Sequence, residues 1–233
     1  MANFITVIRS ILVFVVIIIL FAGKDSNIAY VAAFLLTILV ITMDGLDGYI
    51  ARKYNTASKF GAVLDIIGDR IVENIFWVTY LALGWVSLWI PLVVLTRGII
   101  VDGIRSVALE QGYTAFGKTT MMKSSIGKFL VASNFSRGAY AAFKGIAFST
   151  IIIANLPAWE PCLFKTIVYY FAYISVYITV FFCVIRGLPV IIESKYLFSD
   201  TSSKDSKQSE QKNIQNNHTN NQKQSKEEVS SLS

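Results

Sequence analysis

The sequence predicts an all-α, polytopic membrane protein with about six transmembrane helices. Of its 233 residues, 54% are hydrophobic and only 15% are charged, and the mean hydropathy is +0.55. The apolar residues are also grouped into runs of about 20 residues, the length that a helix needs to cross a bilayer. This composition excludes a soluble globular domain.

Cysteine and histidine chemistry is excluded from the membrane part. The two cysteines, Cys162 and Cys183, are too few and too isolated for a disulfide framework or a thiolate metal site. The single histidine, His218, lies in the polar C-terminal segment. Any reaction in the membrane part must therefore use carboxylates, basic groups and a metal.

The first three helices are predicted at Phe4–Gly23, Ile28–Arg52 and Ser58–Gly84, each bound being approximate. The first is preferred over a signal peptide, because it lacks an A-x-A-like cleavage site and exceeds the length of a usual signal-peptide core. The second and third helices are joined by a short loop, so they run antiparallel. The end of one and the start of the other then meet at the same membrane face.

Three more helices are predicted at Ile90–Gln111, Phe129–Asn155 and Phe164–Val184. The aromatic stretch Trp85–Trp89 suits the membrane interface before the fourth helix. A turn between the last two helices is marked by Pro157, Trp159 and Pro161.

The chain is then predicted to leave the membrane through Arg186-Gly187-Leu188-Pro189. Residues 1–198 form the transmembrane domain. Residues 199–233 are rich in Ser, Asn, Gln, Lys and Glu, and this composition predicts a disordered tail because it cannot bury a core.

The loop charges predict the orientation. The loops after the second and fourth helices are basic, whereas the opposite loops offer only Lys24 and Lys165. By the positive-inside rule the basic side is cytoplasmic. The residues that carry this charge are Arg52, Lys53, Lys59, Lys118, Lys123 and Lys128.

Four aspartates lie at the predicted meeting point of the second and third helices. Asp44 and Asp47 are three residues apart, and Asp65 and Asp69 are four apart, so each pair lies on one helix face. A carboxylate in a membrane segment costs about 2.5–3.5 kcal/mol on insertion scales, which calls for a compensating partner. Hard divalent cations take such oxygen ligands, so the four carboxylates predict a site for Mg²⁺ or Mn²⁺.

The segment from Asp44 to Asp69 reads D-x-x-D-G-x-x-A-R-x(8)-G-x-x-x-D-x-x-x-D. It resembles the signature of the CDP-alcohol phosphatidyltransferases at every fixed position. The resemblance implies that Asp44, Asp47 and Asp65 bind metal. Asp69 is implied as the general base, with a role as a fourth metal ligand left open.

The same resemblance implies the binding site of a CDP-activated lipid. Gly48 and Gly61 would let the cytidine and phosphates approach the backbone, and Arg52 would pair with an acid or a phosphate. The opening Asn3-x-x-Thr6-x-x-Arg9 is similar to the family's N-x-x-T-x-x-R, whose polar residues lie near the nucleotide. An interfacial helix start with a snorkelling arginine is the alternative for this segment.

A phosphate site for the acceptor alcohol is predicted from three cations. Arg97 and Arg105 lie eight residues apart on the fourth helix, and Lys128 follows Gly127 near the fifth. This arrangement is similar to phosphatidylglycerophosphate synthases, and such cations bind phosphate. Contact with lipid headgroups is the alternative role for these cations.

The expected reaction is transfer of a phosphatidyl group from CDP-diacylglycerol to glycerol 3-phosphate, with release of CMP. An inositol phosphate is the alternative acceptor. A cation transporter would also explain intramembrane aspartates, but it leaves Gly48, Arg52 and Gly61 unexplained. The expected partners are the CDP-lipid, the polar acceptor and membrane lipids. No nucleic acid is expected, and a homodimer is left open.

Overall fold

A computed structural model describes residues 2–53, 59–110, 112, 122, 124–157, 160 and 162–195. The described chain is helical and contains no strand, which confirms the all-α fold class. Its helices are α1 (Ala2–Ala22), α2 (Asn27–Lys53), α3 (Lys59–Ala82), α4 (Trp89–Glu110), the short α5 (Ser125–Gly127), α6 (Asn134–Ala154) and α7 (Leu163–Lys195).

Three stretches of the described helices are long and apolar enough to cross a membrane. They are Phe4–Ala22 in α1, Asn27–Gly45 in α2 and Leu163–Lys195 in α7. The other long helices, α3, α4 and α6, have 24, 22 and 21 residues and are also of spanning length. Each of these carries charged side chains that the bundle must shelter from lipid. The protein is therefore a polytopic membrane protein.

Apolar side chains cover the outside of the bundle. On α1 they recur every three to four residues and form a stripe that faces outward. The opposite side of the same helix is fully buried at Val13, Val16 and Leu20. The outward stripe consists of Phe4, Ile11, Phe14 and Ile18, each more than half exposed.

One core joins α1, α2, α3, α4, α6 and α7 around a group of aromatic rings. The ring of Phe148 on α6 lies 4.9 Å from that of Phe76 and 5.0 Å from that of Trp77, both on α3. The Tyr80 hydroxyl donates to the Phe148 carbonyl at 2.7 Å, which satisfies its polar atom in an apolar interior. This core fixes α3, the helix that carries two of the aspartates, against α6.

The predicted start of the fifth helix at Phe129 is wrong. Residues Lys128–Ala132 form a π-helical turn, and Ser133 after it is extended, with φ −67° and ψ 134°. The Ser133 hydroxyl accepts a hydrogen bond from the Phe135 N–H at 3.2 Å. It therefore caps a new helix, α6, that begins at Asn134.

The predicted end of the sixth helix at Val184 is also wrong, because α7 continues to Lys195. The predicted exit from the membrane through Arg186–Pro189 stays a prediction. Pro189 removes one helical N–H, but buried residues follow it at Val190, Glu193 and Ser194. Val190 packs in a second apolar cluster with Val101 and Val131. This packing offsets the missing hydrogen bond.

Several predicted features lie outside the described residues. They are Lys118, Lys123, Trp159, Pro161 and the tail from residue 199. Pro157 does lie in a turn between α6 and α7.

Candidate active site

Three of the four predicted metal-binding carboxylates meet at one point. Asp44 lies on α2, and Asp65 and Asp69 lie one turn apart on α3. One carboxylate oxygen from each residue lies within 4.8 Å of the others, and all three residues are half-buried. Asp47 follows Asp44 by one turn of α2, with its side chain outside the described part of the structure.

Arg9 of α1 reaches into the middle of these carboxylates. Its guanidinium forms an ion pair with Asp44. Its Nη2 atom lies 3.0 Å from Asp69 Oδ1 and 3.8 Å from Asp65 Oδ1. Arg9 is only 1% exposed, and a buried cation requires such partners. The sequence places Arg9 in the family's opening motif, but the motif does not indicate this contact.

Gly68 brings α1 close to α3 beside the aspartates. A Cβ at this position would lie 2.5 Å from Thr6 Cγ2 and 3.3 Å from Arg9 Nη2. Any larger residue would therefore push α1, and Arg9 with it, away from the carboxylates. The signature does not include Gly68, and its only signal in the sequence is its place between Asp65 and Asp69.

The residues predicted to bind the CDP-lipid lie around this point on the backbone. Thr6 is buried in the contact between α1 and α3. Gly61 is half-buried in the first turn of α3, one turn before Asp65. Asn3 lies on α1, and Gly48 and Arg52 lie on α2 beyond Asp44. The structure does not describe the side chains of Asn3 and Arg52, so their contacts with the lipid stay predictions.

The described donor set fits a divalent cation. It offers three carboxylates, the hard oxygen ligands that Mg²⁺ and Mn²⁺ prefer. The single buried guanidinium of Arg9 balances only part of their charge. A divalent cation held by Asp44, Asp65 and Asp69 would balance the remainder.

A second polar layer lies next to the carboxylates and joins α3, α4 and α6. Arg70, which follows Asp69, donates two hydrogen bonds to Asp102 at 2.6 and 3.0 Å and one to Glu73 at 3.1 Å. Glu73, only 2% exposed, also accepts from the Tyr140 hydroxyl at 2.5 Å and lies 3.6 Å from Lys144 Nζ. These bonds hold the backbone around Asp69 in place. No motif in the sequence indicates that Arg70 and Glu73 support Asp69.

The predicted acceptor cations Arg97 and Arg105 are half-buried on α4. Arg97 packs on Gly187 of α7, where a Cβ would lie 2.8 Å from its Cγ and Nε atoms. Arg97, Arg105 and the buried Arg186 of α7 are close enough to repel one another electrostatically. Such a grouping of like charges suits an anion. The sequence predicts Arg186 only at the membrane exit and does not indicate its place in this group of cations.

Other contacts hold Arg186 in this group. Its Nη1 donates to the Ser136 carbonyl at 3.0 Å, and its guanidinium lies 5.3 Å from the centre of the Tyr140 ring. Lys128, the third predicted cation, is exposed at the start of the π-helical turn. A groove of about 360 Å³ between α4 and α7 is lined by Thr96, Arg97 and Gly187, among others.

A groove of larger volume, about 790 Å³, lies between α1 and α3. It starts beside Gly68 and Arg70 and continues along apolar residues such as Phe14 and Ile75. It therefore joins the polar site to the lipid-facing side of the bundle, as a site for a lipid substrate requires.

A family model described as CDP-alcohol phosphatidyltransferase matches residues 1–185. The chain belongs to this family. This phosphatidyltransferase is 27% identical over 166 residues to the CDP-diacylglycerol–glycerol-3-phosphate 3-phosphatidyltransferase of Bacillus subtilis (strain 168), covering 71% of this chain and 75% of that protein. It is 30% identical over 162 residues to the protein of the same name in Rickettsia bellii (strain RML369-C), covering 64% of this chain and 88% of that protein.

Family membership settles the class of the protein. It is an enzyme, a phosphatidyltransferase of phospholipid biosynthesis, and its apolar helices make it an integral membrane protein. The substrates of this family are a CDP-alcohol donor and an alcohol acceptor. The alternative of a cation transporter is not supported.

Proposed function

We propose that this phosphatidyltransferase transfers a phosphatidyl group from CDP-diacylglycerol to glycerol 3-phosphate and releases CMP. The convergence of Asp44, Asp65 and Asp69 at one point carries the proposal, because these carboxylates would hold the metal that polarises a pyrophosphate. The names of the Bacillus and Rickettsia relatives support glycerol 3-phosphate as the acceptor.

Asp44, Asp47 and Asp65 would hold Mg²⁺ or Mn²⁺, with Asp69 close enough to share it. When bound, the metal would polarise the pyrophosphate and stabilise the negative charge of the departing CMP. The acceptor's hydroxyl oxygen forms a bond to the phosphorus that carries diacylglycerol, and the bond from that phosphorus to CMP breaks. Asp69 takes the hydroxyl proton, which requires hydrogen-bond reach in the bound complex.

Arg9 and Arg70 prepare Asp69 for this role. Arg9 donates a hydrogen bond to one oxygen of Asp69. Arg70, the next residue of the helix, is bonded to Asp102 and so anchors the backbone beside Asp69. A carboxylate held in one orientation loses less freedom when it accepts a proton from the substrate.

Arg97, Arg105 and Lys128, joined by Arg186, bind the acceptor's phosphate. The three arginines are partly or fully shielded from water by packing, and such cations attract a phosphate more strongly than cations in bulk water. The groove beside α1 and α3 accepts an acyl chain of the CDP-lipid. The active site faces the cytoplasm, as the positive-inside rule predicts.

The test offers purified enzyme CDP-diacylglycerol with glycerol 3-phosphate, inositol phosphate, free inositol or serine, with Mg²⁺, Mn²⁺ or EDTA. CMP release and lipid product are measured together. We expect product with glycerol 3-phosphate and loss of CMP release in EDTA. A product formed only with inositol phosphate assigns that acceptor instead, and a phosphate-free acceptor as the only substrate contradicts the phosphate site.

A further inference from the structure

The C-terminal part of α7 extends beyond the residues that match the family model, which end at 185. Arg186, Val190 and Glu193 are all buried in this extension. Their spacing of four and three residues places them on one face of the helix. This face therefore packs into the protein rather than against lipid or water.

Glu193 uses its position on this face to bind the start of α5. The Ser124 hydroxyl donates to Glu193 Oε1 at 2.5 Å, and the Ser124 N–H donates to Glu193 Oε2 at 3.4 Å. Glu193 is 7% exposed and Ser124 lies at the surface, so these bonds give a buried carboxylate its hydrogen-bond partners. One carboxylate thus accepts hydrogen bonds from both the backbone and the side chain of Ser124.

Ser124 in turn holds the residues that lead to Lys128. Its hydroxyl oxygen accepts from the Gly127 N–H at 2.9 Å, and its carbonyl accepts from the Lys128 N–H at 3.0 Å. A Cβ on Gly127 would lie 2.6 Å from Glu193 Oε1. The Glu193 carboxylate would therefore have to move if Gly127 were replaced by a larger residue.

We propose that Glu193 is a positioning residue, which acts through Ser124 to hold Lys128 where it binds the phosphate of the acceptor. The inference rests on the proposed function, since Lys128 is one of its phosphate-binding cations. A three-residue helix followed by a π-helical turn has little intrinsic stability. Without the tether, binding must also order this segment, which weakens affinity for the acceptor.

The experiment measures steady-state kinetics of the full chain with CDP-diacylglycerol and glycerol 3-phosphate. Glu193→Ala should raise the apparent KM for glycerol 3-phosphate about five- to thirtyfold, and leave kcat and the KM for the CDP-lipid within about twofold. Glu193→Gln should give a smaller increase, because its amide oxygen still accepts from the Ser124 hydroxyl. Ser194→Ala is the matched control: Ser194 is also buried, but within the described part of the chain its hydroxyl donates to the Ile191 carbonyl of its own helix.

A double-mutant cycle separates positioning from general stability. If Glu193 acts through Lys128, adding Glu193→Ala to Lys128→Ala should raise the acceptor KM by less than twofold. Equal KM increases in both backgrounds overturn the proposal, and so does an unchanged acceptor KM in Glu193→Ala. Should Glu193→Ala fail to fold, Glu193→Gln and Ser124→Ala enter the same cycle. A wild-type enzyme that makes no product with glycerol 3-phosphate refutes the proposed function, and this inference with it.

Discussion

In the candidate site, the positive charge of one arginine on α1 lies against carboxylates from α2 and α3. Arg9, Asp44, Asp65 and Asp69 come from α1, α2 and α3, so the site exists only when these helices pack together. A pair of unit charges about 4 Å apart interacts by about 4 kcal/mol at an effective dielectric constant of 20. Substitutions in this group should therefore affect metal binding and helix packing together.

Asp44→Asn, Asp47→Asn and Asp65→Asn should each lower CMP release by at least about a hundredfold. Loss of an outer-shell partner of a metal site typically lowers metal affinity or activity about 10–100-fold, and loss of a direct ligand should lower them further. Membrane insertion should survive, because each change removes a charge from a membrane segment. Near-normal turnover of any one variant at saturating Mg²⁺ or Mn²⁺ would remove that residue from the metal site.

Arg9→Ala should lower the melting temperature of the metal-free protein, and Mn²⁺ should raise it more in this variant than in the wild type. The variant leaves the three carboxylates to repel one another, and a divalent cation replaces the missing charge. Thermal unfolding in detergent measures both shifts, with Arg9→Lys as the control that keeps the charge. Equal metal-induced shifts in Arg9→Ala and wild type would contradict this account.

Neutralising Arg97, Arg105 or Lys128 should raise the KM for the acceptor. A hydrogen bond to a charged group contributes about 1.5–3 kcal/mol, so each loss should weaken the affinity for the acceptor roughly ten- to more than a hundredfold. The KM for the CDP-lipid should change little, because we propose that this substrate binds at the aspartates. Equal increases in both KM values would instead indicate a general loss of structure.

Between the helices, glycines set how closely the elements approach. At Gly68 the neighbouring atom is Thr6 Cγ2 of α1, and at Gly187 it is part of the Arg97 side chain of α4. Gly84 has a different role: its φ of +74° ends α3, a conformation that glycine adopts at little cost. Both close approaches lie next to predicted site residues, so helix spacing and site geometry are coupled.

Gly68→Ala should reduce activity at least about tenfold by displacing α1 and Arg9. Gly103→Ala on α4 is the matched control, because a Cβ there meets nothing within 4 Å. That control should keep its activity and gain about 0.5–1 kcal/mol of stability. Adding Thr6→Ser to Gly68→Ala removes the clashing methyl and should restore part of the activity. An active Gly68→Ala single variant would show that α1 can move without harm.

Across the whole bundle, polarity is inverted relative to a soluble protein. Large apolar residues are exposed along the outside, whereas Arg9, Glu73, Arg186 and Glu193 are buried. Lipid accepts the apolar outside, and the buried charges find partners on other helices. The same arrangement brings the predicted site residues Arg9, Asp44 and Asp69 together between helices.

Truncation after Ser199 should leave CMP release within about tenfold of the full chain. The segment beyond it has almost no apolar residues, and no proposed site residue lies there. The assay compares truncated and full-length enzyme in liposomes of the same composition. A larger loss would mean that the tail contributes to the site or to an essential partner.

The hydrophobic runs and the spacing of the aspartates were sufficient to predict the helical class, most helix bounds and the convergence of Asp44, Asp65 and Asp69. These features depend on local periodicity and on one short connection between α2 and α3, which the sequence displays directly. Helix ends were predicted less well, because the start of α6 and the continuation of α7 past Pro189 depend on capping and packing by distant residues.

The hydrogen bonds of the buried charges mostly join residues that are far apart in the sequence. The bonds described above for Arg9, Arg186 and Glu193, and the bond from Arg70 to Asp102, span at least 32 positions. The bond between Arg70 and Glu73 is the local exception. No periodicity in one segment encodes such a pairing, because it depends on how whole helices are placed against each other. The sequence fixes which charges must find partners in the membrane. The packing of the helices selects the partners, since a buried charge is stable only where another helix presents its counterpart.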